Sequence, residues 1–231
     1  ETRIFLPSFQ PVQPVFQASK PQARASAVLG GSSYAYFKWQ QHLAAAHAER
    51  VFQEVSREFG ARFGRVYGPV EEYKMDDAKY VFIMSNSFAT KGKDAVNVLR
   101  RQGIKAGLLK LRLFRPFPAK SIANALKRKC KVAVIDQNLS PSVGGITFPE
   151  ISAALYAQED RPEKLISVIG GLGGLDIRQG DFMNIIESLD NPDFVGPLFL
   201  YHQDDLEGIH KLQKIAGHEV EPDLKATPTG D

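Results

Sequence analysis

Leu108-Leu109-Lys110-Leu111-Arg112-Leu113-Phe114-Arg115-Pro116-Phe117-Pro118 begins as an alternating apolar run suited to a β-strand and stops at two prolines flanking a phenylalanine. Neither a helix interior nor a central strand continues through such a pair, because proline has no amide donor and its ring blocks the next turn. A strand therefore ends here on a fixed corner. Pro118 suits the first position of a helix, where a missing N–H leaves nothing unpaired. The chain thus turns straight into a helix predicted over 118–129, with Ile122, Ala125 and Leu126 inward.

The pattern repeats on either side. Tyr80-Val81-Phe82-Ile83-Met84, Val132-Ala133-Val134-Ile135 and Leu165-Ile166-Ser167-Val168-Ile169 are short, largely apolar runs bounded by polar residues, as expected of strands buried on both faces. Helices are predicted over 91–102, 148–158 and 179–189, from Ala95, Val96 and Leu99, from Ile151, Ala154 and Leu155, and from Phe182, Ile185, Ile186 and Leu189. The stretch 85–90 reads as a loop and 63–73 as a turn-rich connector. Strands alternating with helices four times, joined by right-handed crossovers, make an α/β three-layer sandwich with a mostly parallel open sheet.

Residues 1–33 hold Pro7, Pro11, Pro14 and Pro21 and end in Gly30-Gly31-Ser32-Ser33, which reads as an extended linker or arm. Its Phe5, Leu6, Phe9, Val12, Val15 and Phe16 are too apolar for a freely solvated tether, so it is expected to lie against another surface. A helical stripe runs from about His42 to Gly60, and the aromatic group Tyr34, Tyr36, Phe37 and Trp39 before it reads as a binding platform or, the favoured expectation, as plain packing. After Asn191-Pro192, the stretch 194–201 reads as a short docking strand and 206–215 as a helix. The tail 219–231 is expected to be disordered or bound to a partner. The domain plan is therefore an arm over 1–33, an α/β domain over 34–190 and a C-terminal extension over 191–231.

Composition narrows the function classes. Of 231 residues 43% are hydrophobic, ordinary for a globular core, and the formal charge of +3 with no long basic run gives no footprint for nucleic acid. Cys130 is the single cysteine, so no internal disulfide or cysteine-held zinc or iron–sulfur cluster can form, and it is expected at a surface helix end in a reducing, cytoplasmic setting. No apolar stretch is long enough to span a bilayer. The chain starts at Glu1 rather than methionine, so it is expected to be processed or an excerpt of something longer.

Each candidate motif has two readings. Gly170-Gly171-Leu172-Gly173-Gly174 follows a strand, where glycine lets a backbone approach a phosphate, but it lacks the dinucleotide and P-loop spacings; a tight turn or contact with a partner's backbone is the alternative. The 85–90 loop offers hydroxyls to an anion or, more simply, a helix cap from Ser87 or Thr90. Arg115, held by the proline corner, suits a carboxylate or phosphate, and equally a structural ion pair. His42, His47, His202, His210 and His218 show no metal-ligand spacing, and no nucleophile elbow is present. No catalytic or metal-binding residue is assigned.

The order of motifs carries more. Phe63-Gly64-Arg65-Val66-Tyr67-Gly68-Pro69-Val70-Glu71-Glu72-Tyr73-Lys74, then Asp77-Ala78, then Arg101-Gln102-Gly103-Ile104-Lys105-Ala106-Gly107-Leu108-Leu109, then Phe114-Arg115-Pro116-Phe117-Pro118, resembles the α-chain region of pyruvate and related 2-oxoacid:ferredoxin oxidoreductases. Gly171-Leu172-Gly173-Gly174 with Asp176-Ile177 resembles that family's last glycine loop, and Phe5-Leu6-Pro7 the segment leaving the preceding domain. The resemblance implies a transketolase C-terminal-like domain, the family's domain II. It also departs from the family: Asp136-Gln137 stands where Asp-Arg is usual, Leu175 where arginine is common, and Ser85-Asn86-Ser87 replaces a glycine-serine turn. Two missing arginines weigh against an anion contact at these strand ends and fit a divergent member.

The resemblance further implies an enzyme that decarboxylates a 2-oxoacid on thiamine diphosphate with Mg, passes electrons through iron–sulfur clusters to ferredoxin, and forms an acyl-CoA with coenzyme A. This chain would bind none of these alone and would support pyrimidine-binding, diphosphate-binding, γ and ferredoxin-like partners. Arg115, Asn138, Ser140, Gly173 and Gly174 are then the expected partner-facing or anion-contacting residues. An independent nucleotide- or flavin-binding protein and a pure assembly module are the alternatives.

Overall fold

The computed structural model describes residues 2–6, 8–10, 18–21, 30–127 and 131–217. Cys130, Pro7, Pro11, Pro14 and the tail 219–231 lie outside the described residues. Two compact units divide at Tyr67 and Gly68.

The first unit is built on α2 (Gly31–Phe63), preceded by the single turn α1 (Thr2–Phe5). Helix therefore begins at Gly31, not near His42, and Thr2–Phe5 is helical where extended chain is expected. Phe5 packs edge-on against Phe59 and Phe63 at 5.6 and 5.8 Å, so this end of the arm does lie on a surface. The Ser56 hydroxyl accepts the Tyr67 amide at 2.9 Å, fastening the chain where α2 ends. Tyr34, Tyr36, Phe37 and Trp39 correct the packing expectation: each is 54–58% exposed on α2.

The second unit carries a six-stranded sheet among the described residues, in the order β1-β3-β2-β4-β5-β6. Its strands are β1 (Val70–Tyr73), β2 (Tyr80–Ser85), β3 (Ala106–Leu111), β4 (Lys131–Asp136), β5 (Lys164–Ile169) and β6 (Leu198–Phe199). All neighbours run parallel except β1, which pairs antiparallel with β3. The helices are α3 (Phe88–Arg101), α4 (Ala119–Leu126), α5 (Thr147–Leu155), α6 (Asp181–Asp190) and α7 (Gln203–Ile215). Strand β6 docks on β5 as a strand, as expected for the stretch 194–201.

Successive residues of a strand point to opposite faces, which explains runs apolar throughout. Phe82, Met84, Leu108, Ala133, Ile135 and Val168 meet α3 and α6 through Val96, Leu99, Phe182 and Ile185. On the other face Val81, Ile83, Leu109, Val132 and Val134 meet α4 and α5 through Ile122, Leu126, Ile151 and Leu155. The result is the expected three-layer α/β sandwich, consistent with a transketolase C-terminal-like fold.

Two local readings are corrected. Val70–Tyr73 is an edge strand rather than part of a connector, held because Glu71 pairs with both Lys93 on α3 and Arg112 after β3. Helix α3 begins at Phe88, so half of the 85–90 stretch is helical, and no Ser87 side chain caps it.

Candidate functional site

The parallel strands are added in one direction from β2 to β3 and in the other from β2 to β4. Open α/β sheets bind ligands at such a reversal, in the crevice beyond the carboxyl ends of the two strands. Here the crevice is bounded by Asn86, at φ +55°, and by the segment after Asp136. The loop after β5 closes over it: Gly171, at φ +76°, lies so near that a β-carbon would come 3.1 Å from Gln137 Nε2 and 3.3 Å from Phe88 Cε1. Gly171 thus sets the loop after β5 against Gln137, which follows β4, and Phe88 at the start of α3.

Asp136 ends β4 with 4% exposure. Its carboxylate accepts the Thr147 amide at 3.2 Å and the Phe148 amide at 3.3 Å, capping α5 from outside that helix. Burial pushes its carboxyl above the usual range, and hydrogen bonds from Thr147, Phe148 and Asn138 oppose that shift. Asn138 Oδ1 accepts the Ile146 amide at 2.9 Å. Ser140 and Gly144 exchange backbone hydrogen bonds at 2.8 and 3.1 Å, closing a small loop. Thus Asn138 and Ser140 shape the segment between β4 and α5.

Arg115 stacks on the Phe114 ring at 4.3 Å, donates to Phe114 O at 2.8 Å and pairs with Glu150 of α5 at 2.5 Å. The structural ion pair is thus the arrangement present. Gly173 and Gly174 are exposed at φ +63° and +89°, and a β-carbon on either would meet open space. Their backbone angle, rather than a close neighbour, favours glycine there. Lys91 at the start of α3 pairs with Asp176 beyond the glycines, and this bond first among its causes holds the Asp176 carboxyl below its usual range.

Around these loops Phe114, Leu139, Val143 and Ile146 stand 39–56% exposed. A shallow depression lined by Ala123, Lys127, Leu155 and Asp160 lies at the opposite end of the sheet, where Lys127 and Asp160 pair at 3.5 Å. Among the described residues no group of three His, Cys, Asp or Glu side chains is placed to hold a metal ion. No described helix is long and apolar enough to cross a membrane.

One cluster escaped the sequence reading. His202, before α7, sits between Asp181 of α6 and Asp205 of α7, 3.1 Å from each. Asp181 and His202 are 21 residues apart, so no local spacing announces the contact. Gly145 is similar: it packs on Asp136, which only the turn of the loop brings near.

Residues 78–182 match the model of pyruvate:ferredoxin oxidoreductase core domain II. The chain is 35% identical over 82% of its length to pyruvate synthase subunit PorA of Methanothermobacter thermautotrophicus, covering 48% of that protein. It is 37% identical over 80% of its length to ketoisovalerate oxidoreductase subunit VorA of Pyrococcus abyssi, covering 47% of it. It is also 40% identical over 63% of its length to pyruvate synthase subunit PorA of Pyrococcus horikoshii, covering 36% of it. The chain thus spans about half the length, or less, of these curated relatives.

Proposed function

Because residues 78–182 belong to the pyruvate:ferredoxin oxidoreductase core domain II family, we propose that this chain is a supporting, non-catalytic part of a multi-subunit 2-oxoacid oxidoreductase. In this reading the whole enzyme decarboxylates a 2-oxoacid on thiamine diphosphate and Mg, uses iron–sulfur clusters and coenzyme A to reach an acyl-CoA, and reduces ferredoxin or another acceptor. Gln137 and Phe88 lie beside Gly171 at the carboxyl ends of the strands, and the Asp136 carboxylate accepts the first amides of α5. In this reading the cofactors belong to the pyrimidine-binding, diphosphate-binding, γ and ferredoxin-like parts.

The observation that carries this reading is the exposed apolar rim of Phe114, Leu139, Val143 and Ile146 at the carboxyl ends of the strands. Arg115 and Glu150 brace that rim, and a neighbouring domain is what it would face. Asn138, Ser140, Gly173 and Gly174 shape or flank the same loops. Native mass spectrometry of the complex purified through this chain tests the proposal. Co-purifying oxidoreductase subunits carrying thiamine diphosphate and iron–sulfur clusters are expected; a stable, cofactor-free monomer contradicts it.

A pure assembly role is favoured by a different observation, the exposed Tyr34, Tyr36, Phe37 and Trp39 on α2. Deleting 1–33 or replacing these aromatics separates the two readings. Loss of complex formation supports assembly through the first unit, and retention leaves the rim as the interface.

A further inference from the structure

Phe5 is seated at one end of α2, and Gly30 enters the other. The Phe5 ring lies edge-on to Phe59 at 5.6 Å and to Phe63 at 5.8 Å, with the Arg62 guanidinium 5.7 Å from its centre. Helix α2 begins at Gly31. At 1.5 Å per residue, Phe59 stands about 40 Å along the helix from that start. The chain from Phe5 to Gly30 therefore has to travel back along α2, within the unit Glu1–Tyr67.

Its length fixes which residues pass where. Counted from Phe5 over Phe59 at about 3.1 Å per residue, the rise that proline favours, Pro11 comes opposite His47 and Phe16 opposite Tyr36. The turn at Ala18 and Ser19 falls just beyond, where the chain leaves the route. At 3.6 residues per turn, Tyr34, Phe37, Ala44, Ala45, Ala48 and Phe52 share the face of α2 that carries Phe59. Tyr36, Trp39 and Leu43 stand on the opposite face. Residues 31–48 are exposed throughout, Tyr34 by 56% and Phe37 by 54%. A helix of about 18 residues without packing is marginal in water, so this half of α2 needs a cover. The three alanines leave a shallow channel into which another backbone can sink.

We infer that this face is the seat of the chain's own segment Pro11-Val12-Gln13-Pro14-Val15-Phe16, with Val12 over the alanines and Val15 and Phe16 against Phe37 and Tyr34. The segment lies outside the described residues, and its reach from the seated Phe5 names it as the occupant. Its two prolines have φ set in advance, so ordering them on the helix costs little entropy. Phe9, 85% exposed, comes before the seat. Tyr36, Trp39 and Leu43 then remain as the outward face of α2, open to a subunit. The seat is independent of which enzyme the chain serves.

Disulfide trapping in the full chain tests this, with Cys130→Ser removing the one natural thiol. Val12→Cys is combined either with Ala45→Cys on the seat or with Leu43→Cys on the opposite face. A disulfide forms only where Cα atoms come within about 7 Å. Under mild oxidation the Ala45 pair is expected to close within one chain at least about tenfold faster than the Leu43 pair, at a rate independent of protein concentration. Equal rates leave the face open, and a bond joining two chains assigns it to a second copy; either overturns the inference. Amide exchange gives a second measurement free of cysteines. Phe16→Asp is expected to lower protection over 34–48 at least about tenfold while 52–63 hold. Unchanged protection there also overturns it.

Discussion

Gly145 and Asp136 are fitted to one another: a β-carbon on Gly145 would land on the Asp136 carboxylate. That carboxylate caps α5, so the glycine secures the entry angle of a helix whose Ile151 and Leu155 fill one face of the sheet. Gly145→Ala is expected to destabilise the chain by about 1–3 kcal/mol through overpacking. Urea denaturation measures it, and a loss below a few tenths contradicts the fit.

Asp136 also sets a pH dependence. Burial raises its folded pKa, so the folded state keeps this proton to higher pH than the unfolded chain. Its contribution to stability therefore falls as pH rises from the ordinary carboxylate range through the raised value. Relative to Asp136→Asn, wild type is expected to lose stability across that window; a pH-independent difference between the two would refute the assignment.

Glu71 behaves in the opposite sense. Burial raises its pKa, but hydrogen bonding to Lys93 and the charges of Arg112, Lys93 and Lys110 outweigh this and lower it overall. Its stabilisation is present above the unfolded carboxylate value and lost as pH falls through the folded one. Glu71→Gln is expected to cost about 0.5–1 kcal/mol at neutral pH and progressively less on acidification. Thermal melts at matched ionic strength test the trend, and an equal cost at low pH argues that the ion pairs do not hold β1.

Phe82 lies at the centre of one core face, edge-on to Phe182 at 5.1 Å. Phe82→Ala is expected to destabilise by roughly 3–5 kcal/mol. Chemical denaturation showing less than about half of this would mean that the site collapses around the smaller side chain.

The exposed rim gives the functional test. Val143→Asp and Ile146→Asp leave the core untouched, since both side chains are 44–56% exposed. Each is expected to weaken association with the remaining subunits at least about tenfold with an unchanged melting temperature. Wild-type affinity in both variants would place the interface elsewhere.

Several of these features were legible before the structure. The proline corner at Pro116 and Pro118, the strands apolar on both faces and the helical stripe of 179–189 depend on periodicities of a few residues. Those periods predicted the parallel sheet and its helices. The strand Val70–Tyr73 was not legible, because two glutamates read as loop until Lys93 and Arg112 meet Glu71. The exposed Tyr34 to Trp39 aromatics were misread for the complementary reason: burial depends on what lies opposite a side chain, and pattern alone does not say.

By itself, then, the sequence determined the alternation of strand and helix, the sharp end of β3 and the order of motifs shared with an oxidoreductase family. Those are consequences of short-range sterics and of apolar periodicity. Tertiary structure alone decided that Gln137 and Phe88 lie beside Gly171, that Gly145 fits Asp136, and that His202 bridges Asp181 and Asp205. Close packing and hydrogen bonds act over a few ångströms between residues brought together from distant parts of the chain. Their partners exist only once the sheet has brought its loops to one end.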